Sequence, residues 1–296
     1  MSTMHIPSIE HRYVTVDGIR IFYRETGPKD GLPLLLLHGF PSASHQYRRL
    51  MDALGSHYRL IAPDYPGFGH SDSPASSNAG GTFVYSFDRL AHFIERFCEQ
   101  LGLRRFVLYA FDFGGPVGFR IASRHPEWIA GLIVQNANAY AEGLSPLARD
   151  FIALRRDQPE AEKQVLGIMT LAFTREQYVG GTERAELVSP DGWTLDQHFL
   201  DLPGRKQIQL DLAFDYHTNI ALYPQWQRWM KSHQPPTLIV WGANDPFFTA
   251  DGARAFLRDL PQARVHLLNS GHFALEEKLG VIAPHISDFI STLSAT

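Results

Sequence analysis

Residues 105–116 read Arg-Phe-Val-Leu-Tyr-Ala-Phe-Asp-Phe-Gly-Gly-Pro, and this stretch decides the fold that we expect. Its first half, 105–110, is rich in aromatic and β-branched residues, which is typical of a buried strand. A helix is predicted over 116–124. Small residues leave room for a sharp turn between the two: Ala110, Gly114 and Gly115. A strand, a sharp turn and a helix in this order put Asp112 at the carboxyl edge of a sheet, with the helix amides behind it.

The residue at the tip of this turn, Asp112, indicates the chemistry. Most turns of this kind carry serine. A carboxylate nucleophile attacks carbon instead of an acyl group, and the alkyl ester that it forms must then be cleaved by water. The aspartate therefore favours epoxide opening or dehalogenation over esterase or lipase chemistry. Taken alone, Asp112 also fits a helix N-cap, because aspartate is preferred there.

Strand-like and helix-like segments alternate on both sides of this turn. Asp17-Gly18 is a hairpin signal between two short strands. Repeated strand–helix–strand units predict the α/β class, with a mostly parallel sheet covered by helices on both faces. The further predicted strands are 33–37, 58–62, 130–135, 236–241 and 263–268, and the further predicted helices are 44–54, 86–101 and 279–293.

The alternation stops in the second half of the chain. Residues 138–231 are mostly helical in pattern and show no clear strand. We therefore predict one α/β core domain, formed by 1–137 and 232–296, that carries a helical cap insertion at 138–231.

Composition narrows the class of protein. The chain has 296 residues, 44% of them hydrophobic, and a formal net charge of −4, so a full core is expected and nothing favours nucleic-acid binding. No apolar run reaches membrane-span length, and residues 1–7 lack the pattern of a secretion signal. Cys98 fits a core thiol. We expect a cytoplasmic protein without metal or cofactor, either monomer or homodimer, that acts on a small neutral apolar substrate.

Two residues can complete a catalytic triad with Asp112. Asp245 comes just after the strand 236–241, and His272 comes just after the last strand. This order along the chain, nucleophile then acid then histidine, suits the predicted sheet. Asp245 would orient the imidazole, and His272 would activate water against the ester. Alone, Asp245 also fits a turn before Pro246. His272 is one of 14 histidines, so only its position after the last strand supports a catalytic role for it.

Ester hydrolysis passes through an oxyanion, which needs hydrogen-bond donors. His38-Gly-Phe-Pro41 follows a Leu-rich strand, and its Phe40 can offer a backbone N–H. The second donor would be the N–H of Phe113. A cis Phe40–Pro41 bond is plausible at such a turn. We interpret His38 as a residue that holds this turn, and Asp64 as one that organises a loop.

Together these motifs resemble the α/β-hydrolase superfamily over nearly the whole chain outside the predicted cap. The resemblance rests on His-Gly-Phe-Pro at 38–41, Pro-Asp-Tyr-Pro-Gly-Phe-Gly-His-Ser-Asp at 63–72, the Asp112 turn, Asp245, and Ser-Gly-His at 270–272. An aspartate nucleophile with His-Gly-x-Pro looks most like the epoxide hydrolase and haloalkane dehalogenase branch.

Two positions separate these activities. Haloalkane dehalogenases usually have Trp directly after the nucleophile to hold the halide, and many carry Asn after the first His-Gly. Here these positions are Phe113 and Phe40, neither of which has a side-chain N–H. Fluoroacetate-type enzymes have Arg after the aspartate, which is also absent. Ala110 stands where a Gly is usual.

Epoxide hydrolases use cap tyrosines to protonate the ring oxygen, so the resemblance implies such an acid here. Tyr216 is our first choice, although each candidate also fits a packing residue. We predict an epoxide hydrolase; the alternatives are a haloalkane-type dehalogenase and a non-catalytic ligand-binding protein of the same fold. An apolar pocket between sheet and cap is expected, and the candidate substrate-binding residues are His38, Pro41, Tyr140, Tyr178, Tyr223, Trp226, Phe247 and Phe273.

Overall fold

The structure is a computed structural model, and it describes residues 7–293. An eight-stranded sheet has the order β1-β2-β4-β3-β5-β6-β7-β8. The pairs β1–β2 and β2–β4 are antiparallel, and the remaining pairs are parallel, which confirms the predicted α/β class. The strands are β1 Glu10–Val16, β2 Ile19–Thr26, β3 Leu34–Leu37, β4 Leu60–Pro63, β5 Phe106–Phe111, β6 Ile129–Gln135, β7 Thr237–Gly242 and β8 Arg264–Leu268.

Helices cover the sheet and fill the segment between β6 and β7. They are α1 Arg48–Leu54, α2 Phe87–Gln100, α3 Gly114–Arg124, α4 Pro146–Ala153, α5 Ala161–Gly167, α6 Leu171–Val179, α7 Pro190–Leu200, α8 Arg205–Asp215, α9 His217–His233, α10 Ala250–Ala255 and α11 Ala274–Leu293. Residues 44–47, predicted as the start of the first helix, form a 3₁₀ turn that leads into α1.

The central strands are apolar on both faces because helices cover both faces. Every residue of β3 and of β5 is buried. Their side chains alternate between two cores, as the two-residue period of a strand requires. Leu35 and Leu37 lie with α2 and α3, whereas Leu34 and Leu36 lie with α1 and α11.

The predicted hairpin is present at the edge of the sheet. Val16 pairs with Ile19, and the two turn residues between them, Asp17 and Gly18, have φ of 46° and 83°. Positive φ at both positions is the geometry of the turn that matches the twist of the flanking strands.

Between β6 and β7 the described chain contains only helices, α4 to α9, and no strand. We call residues 146–233 the helical segment. It occupies the stretch where the insertion 138–231 is predicted; the division into a core domain and a cap domain stays a prediction.

Two helix starts differ from the sequence-based expectation. The helix after the Asp112 turn begins at Gly114 instead of Pro116. The last helix begins at Ala274 instead of 279, and Lys278 has non-helical φ and ψ of −106° and 21° inside it. The predicted start therefore marks the kink, and the first turn of α11 follows the His272 loop directly.

Among residues 7–293, no helix is both long and apolar enough to cross a membrane. The expectation of no secretion signal concerns residues 1–7, of which 1–6 lie outside the described residues.

Candidate active site

Asp112 stands at the predicted sharp turn between β5 and α3. Its φ is 47°, a left-handed conformation that is unusual for a residue with a side chain. The turn is tight on two sides. A Cβ on Gly39 would lie 2.3 Å from Asp112 Cβ, and one on Gly114 would lie 2.2 Å from the carbonyl oxygen of Leu37. Glycine is needed at both positions because Gly39 lies against the Asp112 side chain and Gly114 lies against the backbone of Leu37.

Two backbone N–H groups face the Asp112 carboxylate. The N–H of Phe40 donates to Asp112 Oδ1 at 2.6 Å, and the N–H of Phe113 lies close enough to lower the pKa of this carboxyl. The Phe40–Pro41 peptide bond is cis, as expected. These are the two donors that the sequence predicts for an oxyanion site, and the structure brings both to one carboxyl group.

His272 joins the two aspartates. Its Nδ1 donates to Asp245 Oδ2 at 2.6 Å, and its Nε2 lies 3.7 Å from Asp112 Oδ2. All three side chains are buried. The predicted order of nucleophile, acid and histidine along the chain therefore corresponds to one continuous row of side chains in space.

Asp245 is held in place by four donors. Its Oδ1 accepts the N–H groups of Phe247 and Phe248 at 2.8 and 3.1 Å. Its Oδ2 accepts from His272 and from Asn136 Nδ2, the latter at 2.8 Å. Asp245 therefore has the hydrogen bonds of a turn residue and also the contact with His272 that the predicted triad requires.

Asn136 is a site residue that our sequence analysis misses. It follows β6 with φ of 42°, and its side chain also bonds both backbone groups of Gly242 at the end of β7. Asparagine tolerates the left-handed region better than most residues. The signal in the sequence that could have identified Asn136 is an asparagine directly after the predicted buried strand 130–135.

Burial and charge act in opposite directions on the triad. Burial raises the pKa of Asp112, although the nearby His272 and the N–H groups of Phe40 and Phe113 oppose it. Burial lowers the pKa of His272, but the negative charges of Asp245 and Asp112 and the hydrogen bond to Asp245 outweigh it, so the net pKa is raised.

A cavity of about 120 Å³ opens beside Asp112 and His272. It lies between the strand ends and the helical segment. Its polar side chains are Asp112, His272, Tyr216, Gln177 and Gln209. The apolar ones are Phe40, Phe113, Leu147, Ala148, Phe151, Ile152, Ile168, Met169, Phe173, Ala213, Phe247 and Phe248. The apolar pocket expected between sheet and helices is therefore present.

Of the predicted substrate-contact and acid residues, Tyr216 and Phe247 line this cavity. Tyr216 is buried at the end of α8, and its ring lies 6.0 Å from that of Phe113. Burial raises the pKa of the Tyr216 hydroxyl well above its usual value, so this group is protonated at neutral pH.

The other three predicted tyrosines and Trp226 do not line the cavity, so the structure does not bring them to the predicted site, and their contact with substrate stays a prediction. Tyr140 donates to Asp259 at 3.0 Å, and Tyr178 donates to Asp196 at 2.6 Å. Tyr223 and Trp226 are buried against each other in the core. Each fills a packing role because its polar end points to another part of the molecule or into the core.

His38, Pro41 and Phe273 also lie outside the cavity lining, so their contact with substrate stays a prediction as well. His38 Nε2 accepts from the N–H of Tyr65 at 3.3 Å. Burial lowers the pKa of His38 to about 4, so it is neutral. Its role is to hold the turn before Phe40, as expected. Phe273 stacks on Tyr178 with ring centres 3.9 Å apart.

Asp64 has the loop-organising role that the sequence predicts. Its Oδ1 accepts the N–H of Ser44 at 2.7 Å, and its Oδ2 accepts the N–H of His70 at 2.8 Å. Cys98 is a buried free thiol whose pKa burial raises, in agreement with a core position.

Comparison with known proteins finds hydrolases among the similar chains. The chain is 37% identical over 281 residues to an uncharacterized hydrolase of Saccharomyces cerevisiae, with 93% of this chain and 95% of that protein covered. It is 28% identical to a haloalkane dehalogenase of Psychrobacter cryohalolentis, with 96% and 93% covered. It is 26% identical to epoxide hydrolase 2 of Caenorhabditis elegans, with 95% and 80% covered.

A solved structure shares the fold. Haloalkane dehalogenase DbeA of Bradyrhizobium elkani superposes with a TM-score of 0.80 at 22% identity, covering 97% of this chain and 99% of that one. The family described as the alpha/beta hydrolase fold matches residues 33–279, which span the strands from β3 to β8 and the whole helical segment. The chain therefore belongs to the alpha/beta hydrolase fold family.

Proposed function

We propose that this protein opens neutral epoxides to vicinal diols through a covalent ester on Asp112. One observation carries the proposal: a carboxylate, its histidine and a protonated phenol line the same apolar cavity, as Asp112, His272 and Tyr216. An epoxide needs each of them, namely a nucleophile for carbon, a base for water and an acid for the ring oxygen.

In the first step, Asp112 Oδ2 attacks a ring carbon. This oxygen is the free one, since Oδ1 accepts the N–H of Phe40. The ring C–O bond breaks as the Asp112 ester forms, and the ring oxygen takes the proton of the Tyr216 hydroxyl. A phenol is a sufficient acid for this transfer because an alkoxide is a far stronger base than a phenolate.

In the second step, His272 takes a proton from water, and the resulting hydroxide adds to the ester carbonyl of Asp112. The N–H groups of Phe40 and Phe113 stabilise the oxyanion. Collapse breaks the acyl C–O bond, and the departing diol oxygen takes the proton from His272. The regenerated Asp112 acid returns a proton to the Tyr216 phenolate, so the enzyme ends in its starting state.

The lining of the cavity favours epoxide over halide as the leaving group. No tryptophan of the described chain lines the cavity, and the residue after the nucleophile is Phe113, which has no side-chain N–H. An indole donor for a departing halide is thus missing, whereas a hydroxyl donor for a ring oxygen is available in Tyr216.

The test is the intact mass of a His272→Gln variant after mixing with panels of neutral epoxides and haloalkanes. Without its base, the ester on Asp112 should persist. We expect the mass to rise by the whole mass of an epoxide, and to rise no longer when Asp112→Asn is added. The matched control is His57→Gln, which changes an exposed histidine and should turn substrate over without a lasting adduct.

An adduct of alkyl mass without halogen would instead identify a dehalogenase. If no panel member gives an adduct or turnover although the wild-type protein binds these compounds, the fold serves as a ligand-binding protein and the proposed reaction is wrong.

A further inference from the structure

Two amides in the cavity have no role in the proposed reaction. Gln177 on α6 and Gln209 on α8 both line the cavity, and their side chains are 5% and 4% exposed. Within residues 7–293, Gln177 Nε2 and Gln209 Oε1 have no hydrogen-bond partner. The other three polar side chains of the lining are the nucleophile, the base and the acid.

A buried amide without a partner is unfavourable, because folding removes its hydrogen bonds to water and returns none. An apolar side chain of similar size would fill the same space without that penalty. Apart from the three reacting groups, Gln177 and Gln209 are the polar side chains of this lining, and two neutral amides in an apolar lining point to a bound molecule that carries a neutral polar group.

The spacing along α8 places Gln209 away from the reacting atoms. Gln209, Ala213 and Tyr216 line the cavity at intervals of four and three residues, so they share one face of the helix. Seven residues at a rise of 1.5 Å separate Gln209 from Tyr216 by about 10 Å along the axis. A substrate whose ring oxygen meets Tyr216 thus presents a different group to Gln209.

Gln177 lies nearer to the reacting end. It stands one turn before Gly180. The carbonyl oxygen of Gly180 packs against Gly271, since a Cβ on Gly271 would lie only 1.8 Å from it. Gly271 is the neighbour of His272 in the chain. The two amides therefore mark two different parts of the cavity.

We propose that the substrate is a neutral epoxide that carries a hydroxyl group distant from the ring, and that Gln209 binds this hydroxyl. The inference rests on the proposed function. A hydroxyl suits an amide because it both donates and accepts a hydrogen bond. An anionic group does not suit it, because no Lys or Arg of the described chain lines the cavity.

The experiment compares terminal epoxyalkanes of increasing length with the same compounds bearing a hydroxyl at the far end. In the wild-type protein, kcat/KM for the best hydroxylated compound should exceed that of its parent by about tenfold, the value of one net hydrogen bond. In Gln209→Leu this ratio should fall to about one, and Tm should stay equal or rise because an unpaired amide is removed.

Three variants make the result specific. Gln207→Leu is the matched control on the same helix, since Gln207 bonds Asp211 and does not line the cavity, and it should keep the wild-type ratio. Gln177→Leu should change the rates of both compounds alike. Gln209→Met, which has similar length, replaces Gln209→Leu if that variant does not fold.

Turnover of parent epoxides with a wild-type ratio near one would overturn the hydroxyl assignment and leave the proposed function intact. Loss of the ratio in Gln177→Leu but not in Gln209→Leu would overturn the role of Gln209. If no epoxide of either series is turned over or trapped, both proposals are wrong.

Discussion

At the scale of single residues, the site depends on the absence of a side chain at Gly39. Asp112 is held in a left-handed turn, and its carboxylate fills the space in front of Gly39. Gly39 is therefore needed for the space it leaves and not for backbone flexibility. It leaves room for the carboxylate and for the N–H of the next residue, Phe40, to meet Asp112 Oδ1.

We predict that Gly39→Ala lowers kcat/KM on a substrate of the protein by at least about 100-fold, because the new Cβ would lie 2.3 Å from Asp112 Cβ and Oδ1 and displace them. Gly31→Ala is the control, since its Cβ would meet nothing closer than 3.5 Å. Steady-state kinetics of both variants decide the point. Equal activity of Gly39→Ala and wild type would show that the turn tolerates the added atom.

At the scale of elements, a buried polar cluster connects the helical segment to the sheet. Asp196 on α7 accepts from the Tyr178 hydroxyl of α6 at 2.6 Å, and it lies 2.5 Å from the imidazole of His45, which belongs to the turn after β3. Asp196 is fully buried. Tyr178 in turn stacks on Phe273, next to His272. The cluster thus holds α6 and α7 against the turn after β3 and the loop of His272.

We predict that Asp196→Ala lowers the free energy of unfolding by about 1–3 kcal/mol, since Tyr178 and His45 each lose a buried hydrogen bond to Asp196 and His45 Nε2 keeps only Ser42 Oγ, at 3.3 Å. Asp191→Ala, an exposed position on the same helix, should change it by less than about 0.5 kcal/mol. Urea denaturation measures both. A similar effect of the two variants would mean that the cluster adds nothing to stability.

At the scale of the whole molecule, parallel strands assemble the site. Phe40, Asp112, Asn136, Asp245 and His272 follow β3, β5, β6, β7 and β8, and these strands end at the same edge of the sheet. Three ionisable groups from distant parts of the chain are thereby brought into one buried place. The protonation states of Asp112 and His272 depend on each other, because each charge shifts the pKa of the other group.

We predict that His272 has a lower pKa in the ester than in the free enzyme. Two negative charges raise the pKa of His272 in the free enzyme, and ester formation removes the charge of Asp112. A base works deprotonated, so ester hydrolysis should speed up with rising pH and level off above the lowered pKa. Single-turnover rates against pH report this pKa, and NMR titration of His272 reports that of the free enzyme.

Asp112→Asn provides the control, because it neutralises the same position without an ester and should lower the NMR pKa of His272 in the same direction. A hydrolysis pKa equal to or above that of the free enzyme would contradict the predicted coupling.

The sequence was sufficient to predict most of the elements, and to predict that Asp112, Asp245 and His272 lie together, because both depend on local patterns. Buried strands such as β3 and β5 are continuous apolar runs, and Asp112, Asp245 and His272 each follow a strand directly. Once a parallel sheet is inferred, strand ends lie at one edge, so chain order alone predicts that these residues meet.

The cavity lining could not be derived in this way. Tyr140, Tyr178, Tyr223 and Tyr216 look alike in sequence, yet only Tyr216 among them faces the cavity. Which face of a helix points inward depends on its rotation and on its packing partners, and in the helical segment no strand fixes them.

The sequence by itself therefore determined the fold class, and it predicted that Asp112, Asp245 and His272 meet, since their positions follow from strand periodicity and strand order. Only the tertiary structure decided the hydrogen-bond partners of Asp245, which tyrosine lines the cavity, and the unpaired amides Gln177 and Gln209. Those features depend on contacts between helices that are far apart in the chain, and a local pattern carries no information about which side chains such contacts leave facing the cavity.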